Sequence, residues 1–224
     1  KITHLTKESN ATAEIIIDKK NLAESPNPAQ IISKGKANKK VIALTIDGMG
    51  DKGTVEGLLD VLKKYNVKAT FFLEGQNAIL NTDITAEIKN SNNQIGSYGF
   101  VGISEAEKLP TLVVIADLCR ARKALNITEG KAPDWVKLNK TKYTTPLLNI
   151  IKATGSSYAV TSGITIPQDK ITDVAEANYF VQKLAPGSIL TLQTGIPADI
   201  KQETGKDDDR IAVDKPTGVL EAPK

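Results

Sequence analysis

Residues 41–50 read VIALTIDGMG, and this stretch decides the fold class. The run is apolar and β-branched, ends abruptly in an acid and glycines, and is followed by an amphipathic segment. Such a pattern predicts a buried parallel strand that leads into a helix. Asp47 lies where this strand ends, and in parallel α/β folds ligands bind at the carboxyl ends of the strands. Asp47 is therefore the first candidate functional residue.

Apolar strands and amphipathic helices alternate along most of the chain after residue 41. The sequence predicts further strands over residues 67–73, 94–97, 157–161 and 188–193. It predicts helices capped by Thr54, over residues 82–90, from Pro110 to about residue 125, from Pro146 to Gly155, and over residues 170–184. Regular alternation of this kind is typical of an α/β fold built from βα units.

The chain divides into three segments by composition. Residues 1–40 are interpreted as an N-terminal covering segment with a strand-like run over residues 13–18. Residues 41–196 form the predicted α/β domain. Residues 197–224 are a polar tail that we expect to be partly mobile, with possible strands over residues 211–213 and 219–220.

Size and charge restrict the function classes. The 224 residues, 40% of them apolar, suffice for one sizeable core. The net charge is only +3, and lysines and acids are interspersed without a basic stripe, so the sequence predicts no nucleic-acid partner. No apolar run approaches the roughly 20 residues that a membrane span needs.

Histidine and cysteine are almost absent, which excludes several kinds of site. His4 and Cys119 are the single representatives of their types. One cysteine excludes a disulfide within the chain and a cysteine-based zinc cluster. One histidine excludes the imidazole pair of a typical zinc site, and no histidine lies near a strand end to serve a nucleophile. The composition thus predicts no metal and no cofactor.

Four stretches together resemble a known family. VIALTIDGMG, LLDVLKKYNVKATFF (residues 58–72), NNQIGSYGF (residues 92–100) and PGSILTLQTG (residues 186–195) are similar to the NodB-homology polysaccharide deacetylases of carbohydrate esterase family 4. The resemblance implies a distorted (β/α) barrel of seven or eight βα units. It also implies a protein that is secreted or associated with the cell wall. It also implies removal of acetyl groups from chitin-like or peptidoglycan-like polymers, with a divalent metal held by one Asp and two His and a second Asp as base.

The residues that the resemblance assigns to the metal are missing. The family pattern T-F-D-D-G-P falls on residues 45–50, so the base is kept as Asp47 and the metal-binding Asp becomes Gly48. The H-x-x-x-H pair falls on Tyr98 and Gly102. Glycine offers no ligand, and a phenol with a pKa of about 10 is a poor one at neutral pH.

Two further family patterns are also degraded. R-P-P-Y-G falls on residues 131–135, so that Lys131 replaces the Arg that orients the base and Pro133 alone matches. The late L-x-H pattern falls on residues 191–193 and places Gln193 where the family has its acid. The resemblance therefore implies an altered site with neither the orienting Arg nor the acid.

We interpret the chain as a metal-free, catalytically inactive homologue that binds a polysaccharide or serves a structural role. Tyr98 and Trp135 would offer flat faces to sugar rings, and Asp47 and Gln193 would bind hydroxyls. Pro133, in the same predicted loop as Trp135, is also assigned to substrate binding. An exposed Asp47 would have a pKa of about 3.9 and be a weak base. In a purely structural role, Asp47 would cap the next helix or neutralise a lysine.

Two other functions stay open at this stage. An active deacetylase would need a metal held by acids such as Asp51 or Glu74, or by a second chain. A Rossmann-type oxidoreductase is suggested by the G-x-G-x-x-G spacing of residues 48–53, with Glu74 after the second strand at a ribose-binding distance. Asp47 argues against the dinucleotide, because its carboxylate would approach the pyrophosphate.

Overall fold

The structure is a computed structural model that describes residues 27–35, 41–161, 164–166 and 173–194. The strands predicted over residues 13–18, 211–213 and 219–220 lie outside these ranges, as does His4.

A parallel sheet organises the described residues. Its eight strands stand in the order β1-β6-β5-β4-β3-β2-β8-β7, and every neighbouring pair is parallel. The strands are β1 (Gln30–Ile32), β2 (Ala43–Asp47), β3 (Thr70–Leu73), β4 (Gln94–Ser97), β5 (Trp135–Val136), β6 (Tyr158–Val160), β7 (Ile164–Ile166) and β8 (Ile189–Gln193). The predicted α/β fold is confirmed.

Helices connect most of these strands. They are α1 (Lys52–Lys64), α2 (Gly75–Leu80), α3 (Thr82–Asn90), α4 (Thr111–Glu129), α5 (Thr145–Ala153) and α6 (Val174–Gln182), with one 3-10 turn at Ala106–Lys108. Apolar residues of α1 to α3, including Val55 and Ile88, pack with Ile46 and Phe71 of the sheet. Helices α4 and α5 cover the β5 and β6 side with a second apolar cluster. Within the described ranges, no helix is both long and apolar enough to cross a membrane.

Several element boundaries differ from the sequence prediction. Helix α1 begins at Lys52, and its N-cap is Asp51, whose carboxylate accepts the Thr54 N–H at 3.0 Å, so the predicted Thr54 cap is wrong. Trp135 begins strand β5 where the sequence predicts a loop. Strands β1, β5 and β7 were missed because two or three residues are too few to show a period. Helix α3 and strand β4 were predicted correctly.

The sheet curls strongly towards its own inner face. Strands β3 and β4 lie between β2 and β5 in the sheet. Neighbouring strands are about 4.8 Å apart, so β2 and β5 would be about 14 Å apart in a flat sheet. The Lys137 ammonium, directly after β5, nevertheless lies 3.0 Å from the Asp47 carboxylate at the end of β2. The inner face therefore encloses side chains, as in a partly closed barrel. At its centre lies an interior cluster, formed by Phe72, Tyr98, Val160 and Ile189.

Gly96 leaves room for the largest ring of this interior cluster. It pairs in register with Phe72 on the neighbouring strand. A Cβ atom at position 96 would lie 2.5 Å from the Phe72 ring, closer than any real contact. Phe72 is 1% exposed, so its ring is enclosed by other side chains. The placement of the Phe72 ring thus depends on a residue without a side chain at position 96.

Gly96→Ala tests this dependence. The added methyl group overpacks the Phe72 ring, so we expect the free energy of unfolding to fall by about 1–3 kcal/mol in chemical denaturation. Gly57→Ala is the matched control, because Gly57 is exposed within α1 and a Cβ atom there would have no neighbour within 4 Å. That control should raise stability by about 1 kcal/mol through helix propensity. Equal effects of the two substitutions would contradict the packing argument.

Candidate functional site

A cavity of about 400 Å³ opens at the carboxyl ends of the strands. Asp47 and Gln193, which are register partners at the ends of β2 and β8, line one side of it. The segment after β5 lines another side, with Lys137, Asn139 and Tyr143. The site thus lies at the sheet edge where the sequence placed it.

Asp47 forms a buried ion pair with Lys137. The Lys137 Nζ atom lies 3.0 Å from Asp47 Oδ2, and the two residues are each 4% exposed. Lys137 also donates to Thr191 Oγ1 at 2.7 Å and to Thr45 Oγ1 at 3.2 Å. An ammonium has three N–H donors, so each of them has an acceptor in this polar layer of Asp47, Lys137, Thr45 and Thr191. Lys137 is therefore bound as a cation and is not poised as a nucleophile.

Burial changes the acidity of both partners. It raises the pKa of Asp47 to about 6, and the charge of Lys137 limits the rise. Burial also lowers the pKa of Lys137, against the attraction of Asp47. The attraction between the two groups therefore opposes the effect of burial on each pKa. The expectation of an exposed Asp47 with an ordinary pKa is wrong, because the curled sheet covers this carboxyl group.

Lys137 is the functional residue that sequence reasoning missed. The family pattern places the orienting Arg on Lys131, which is exposed in the connection between α4 and β5. In the structure Lys137 contacts the base instead, six residues further along the chain. A signal was present in the sequence, because Lys137 stands between Val136 and Leu138 at the end of an apolar run. A lysine in such a run is buried only with a partner.

A second buried carboxylate, that of Glu74, lies close enough to Asp47 for the two charges to interact. Glu74 is 3% exposed, and its Oε2 atom accepts the Met49 N–H at 2.9 Å and the Asn77 side-chain amide at 3.2 Å. Burial raises the pKa of Glu74, and the charge of Asp47 adds to the rise. Tyr98 follows β4 and is 1% exposed. Its phenol pKa is raised by burial, and further by the charges of Asp47 and Glu74.

The residues at the three ligand positions do not fit a divalent metal. Gly48 and Gly102 have no side chain, and both hold positive φ angles, 80° and 74°. Tyr98 is a buried phenol whose raised pKa disfavours the phenolate that a metal would need. Across the part of the chain that the structure describes, no group of three or more His, Cys, Asp or Glu side chains could hold a metal ion.

The loop that carries Tyr98 is held rigidly. Asp117 on α4 accepts the backbone N–H groups of Phe100 at 2.9 Å and Val101 at 3.2 Å. Gly75 at the start of α2 donates to the Gly99 carbonyl at 2.9 Å. Gly99 has a φ of 83°, and a Cβ atom there would lie 2.5 Å from Asp117 Oδ2. The Tyr98 ring is thus fixed where the family has a metal-binding histidine.

The structure brings two of the five predicted site residues, Asp47 and Gln193, to the cavity. Tyr98 is 1% exposed within the interior cluster and offers no free face to a sugar ring. Asp47, Tyr98 and Gln193 all lie at the carboxyl ends of their strands. Trp135 instead stacks on Tyr158, with ring centroids 4.6 Å apart, and packs against the interior cluster. Pro133 is buried, and its carbonyl accepts a hydrogen bond from Arg122 at 3.1 Å. Pro133 and Trp135 do not reach the cavity, because they stand at the amino end of β5.

The dinucleotide interpretation fails on the same geometry. A phosphate would need the backbone N–H groups of residues 48–54, but Met49 donates to Glu74 and Thr54 donates to Asp51. A pyrophosphate would therefore meet the carboxylates of Asp47, Asp51 and Glu74 and be repelled by them.

The chain is similar in sequence to polysaccharide deacetylases. The profile of the polysaccharide deacetylase family matches residues 34–159, more than half of the chain. A peptidoglycan-N-acetylglucosamine deacetylase of Listeria monocytogenes is 33% identical over 102 residues, 46% of this chain and 22% of that protein. One from Bacillus cereus is 32% identical over 108 residues, 46% of this chain and 37% of that protein. The chain spans well under half the length of these two relatives.

Solved structures share the fold. A peptidoglycan N-acetylglucosamine deacetylase has a TM-score of 0.67 at 26% identity, over 73% of this chain and 76% of the other. A carbohydrate esterase family 4 pseudoenzyme from Bacillus anthracis has a TM-score of 0.66 at 21% identity, over 76% of this chain and 59% of the other. These similarities confirm the predicted distorted barrel.

Lys137→Met tests the ion pair. The substitution leaves the Asp47 carboxylate buried without its ion-pair partner. We therefore expect the free energy of unfolding to fall by about 3–5 kcal/mol at pH 7. The loss should shrink at pH 5, because Asp47 then takes up a proton. Chemical denaturation measures both values.

Two further variants control this experiment. Asp47→Asn combined with Lys137→Met should recover most of the lost stability, because neither charge remains buried. Lys131→Met removes an exposed lysine and should leave stability unchanged. A Lys137→Met protein as stable as the wild type would contradict the role of the pair.

Proposed function

Since the chain belongs to the polysaccharide deacetylase family, we propose that it is a metal-free, catalytically inactive homologue that binds an extracellular or cell-wall glycan. The observation that carries the proposal is the neighbourhood of Asp47. Its Oδ2 atom contacts Lys137, while the ligand positions hold Gly48, Tyr98 and Gly102. The retained base thus faces a structural partner and no metal-ligand set.

This arrangement lacks the groups that hydrolysis of an acetyl group requires. Family members use a metal to activate water and polarise the acetyl carbonyl, and the ligand positions of this chain do not fit one. Lys137 is saturated by three acceptors. Gln193 is an amide and cannot supply a proton to a leaving amine. The pKa of Asp47, about 6, suits a general base, but a base alone supplies only part of the usual rate enhancement.

The cavity next to this pair has the size and polarity of a sugar site. Its volume of about 400 Å³ lies in the range of small-molecule sites. Asn139, Thr161, Thr165 and Gln193 contribute amide and hydroxyl groups to its wall, and these groups can both donate to and accept from sugar hydroxyls. The two curated relatives that are named as peptidoglycan deacetylases support a wall glycan as the ligand.

An active enzyme would need an unusual metal site, for which Asp51 and Glu74 are the candidate ligands. The contacts of these two acids do not support such a site. Asp51 binds the backbone N–H and the hydroxyl of Thr54 at 3.0 and 2.7 Å. Glu74 binds Met49 and Asn77. A metal would have to compete with these hydrogen bonds for either carboxylate.

Sedimentation with insoluble peptidoglycan and with chitin tests the proposed binding. We expect the wild-type protein to co-sediment with at least one of them, and Gln193→Ala to weaken retention about 5- to 10-fold by removing a cavity hydrogen-bonding group. Gln76→Ala, on the exposed surface of α2, is the matched control and should be retained like the wild type. Retention no greater than that of an unrelated protein would end the glycan proposal.

Acetate release from the same polymers, with zinc supplied, tests the proposed inactivity in parallel. We expect none above the buffer control. Continuous release that Asp47→Ala abolishes would show an active enzyme.

A further inference from the structure

The Glu74 side chain lies beside two of the three altered ligand positions, 48 and 102. Glu74 binds the amide of Met49, the residue after Gly48, at 2.9 Å. A Cβ atom built on Gly102 would lie 3.4 Å from Glu74 Cγ and 3.7 Å from Glu74 Oε1. The same Cβ atom would lie 3.5 Å from the Tyr98 ring. One buried carboxylate thus lies between the backbone after position 48 and the space at position 102.

Hydrogen bonds of its backbone and its carboxylate hold Glu74 in this position. It is the N-cap residue of α2, its backbone carbonyl accepts the Ala78 N–H at 2.9 Å, and its carboxylate has two donors. Burying a carboxylate is costly without such partners. The contacts at position 102 are ordinary van der Waals distances for a Cβ atom alone. An imidazole continues well beyond its Cβ atom, so a histidine at position 102 would meet Glu74.

We propose that Glu74 excludes a divalent metal from this site by occupying the space of the missing ligand at position 102. The inference rests on the proposed metal-free state and adds its cause. Restoring the three ligands would then be insufficient, because a histidine introduced at position 102 could reach a metal only after Glu74 had left. Glu74 would be the residue that decides whether this barrel can take up a metal.

Zinc titration of two variants of the whole 224-residue chain tests the proposal. The first carries Gly48→Asp, Tyr98→His and Gly102→His, and the second adds Glu74→Ser, which is shorter and still suits an N-cap. We expect the second variant to bind one zinc per chain about 10- to 100-fold more tightly than the first. Cobalt absorption reports the ligand set independently of any activity. Glu56→Ser, at an exposed position of α1, replaces Glu74→Ser in the matched control and should not improve binding.

Circular dichroism and thermal unfolding establish that each variant is folded, since residues at positions 48 and 102 must adopt positive φ angles. Zinc binding by the first variant within threefold of the second would overturn the role of Glu74, as would two folded variants that both fail to bind. Stoichiometric zinc on the wild-type protein would instead refute the proposed function itself. The two failures are therefore distinguishable.

Discussion

The buried charge of Lys137 is the constraint on which the rest of the site depends. Its ammonium is inside the barrel, where an unpaired charge would be strongly destabilising. Asp47, Thr45 and Thr191 satisfy it, and they come from β2 and β8 while Lys137 follows β5. This polar layer can form only if the sheet curls enough to bring these strands together. The ion pair and the barrel geometry therefore require each other.

The altered site is filled by side chains and fixed by hydrogen bonds. Tyr98 packs within the interior cluster, and Glu74 binds the backbone beside Gly48. Asp117 holds the loop between Tyr98 and Gly102 through two backbone N–H groups. Burial raises the pKa of Asp117 to about 6, and the two hydrogen bonds limit that rise. The side of the site that remains open is the cavity between Lys137 and Gln193, which is why we place the ligand there.

The sequence was sufficient for the fold and for one corner of the site. The run that ends at Asp47 predicted both a buried strand and a functional edge, because burial and strand ends leave a clear pattern. Lys137 was missed and Trp135 was placed in a loop because β5 is only two residues long, so its register could not be read from a period. Glu74 was noted in the sequence, but its contact with Met49 depends on how the loops after β2 and β3 meet. Only tertiary structure determines that contact.

The zinc content of the wild-type protein tests the central claim most directly. The purified chain would be incubated with excess zinc at neutral pH, passed through gel filtration and analysed by inductively coupled plasma mass spectrometry, with Asp47→Ala alongside. We predict that neither protein retains stoichiometric zinc. One zinc per wild-type chain that is lost in Asp47→Ala would contradict the account, because it would require a ligand set at Asp47 that displaces Lys137.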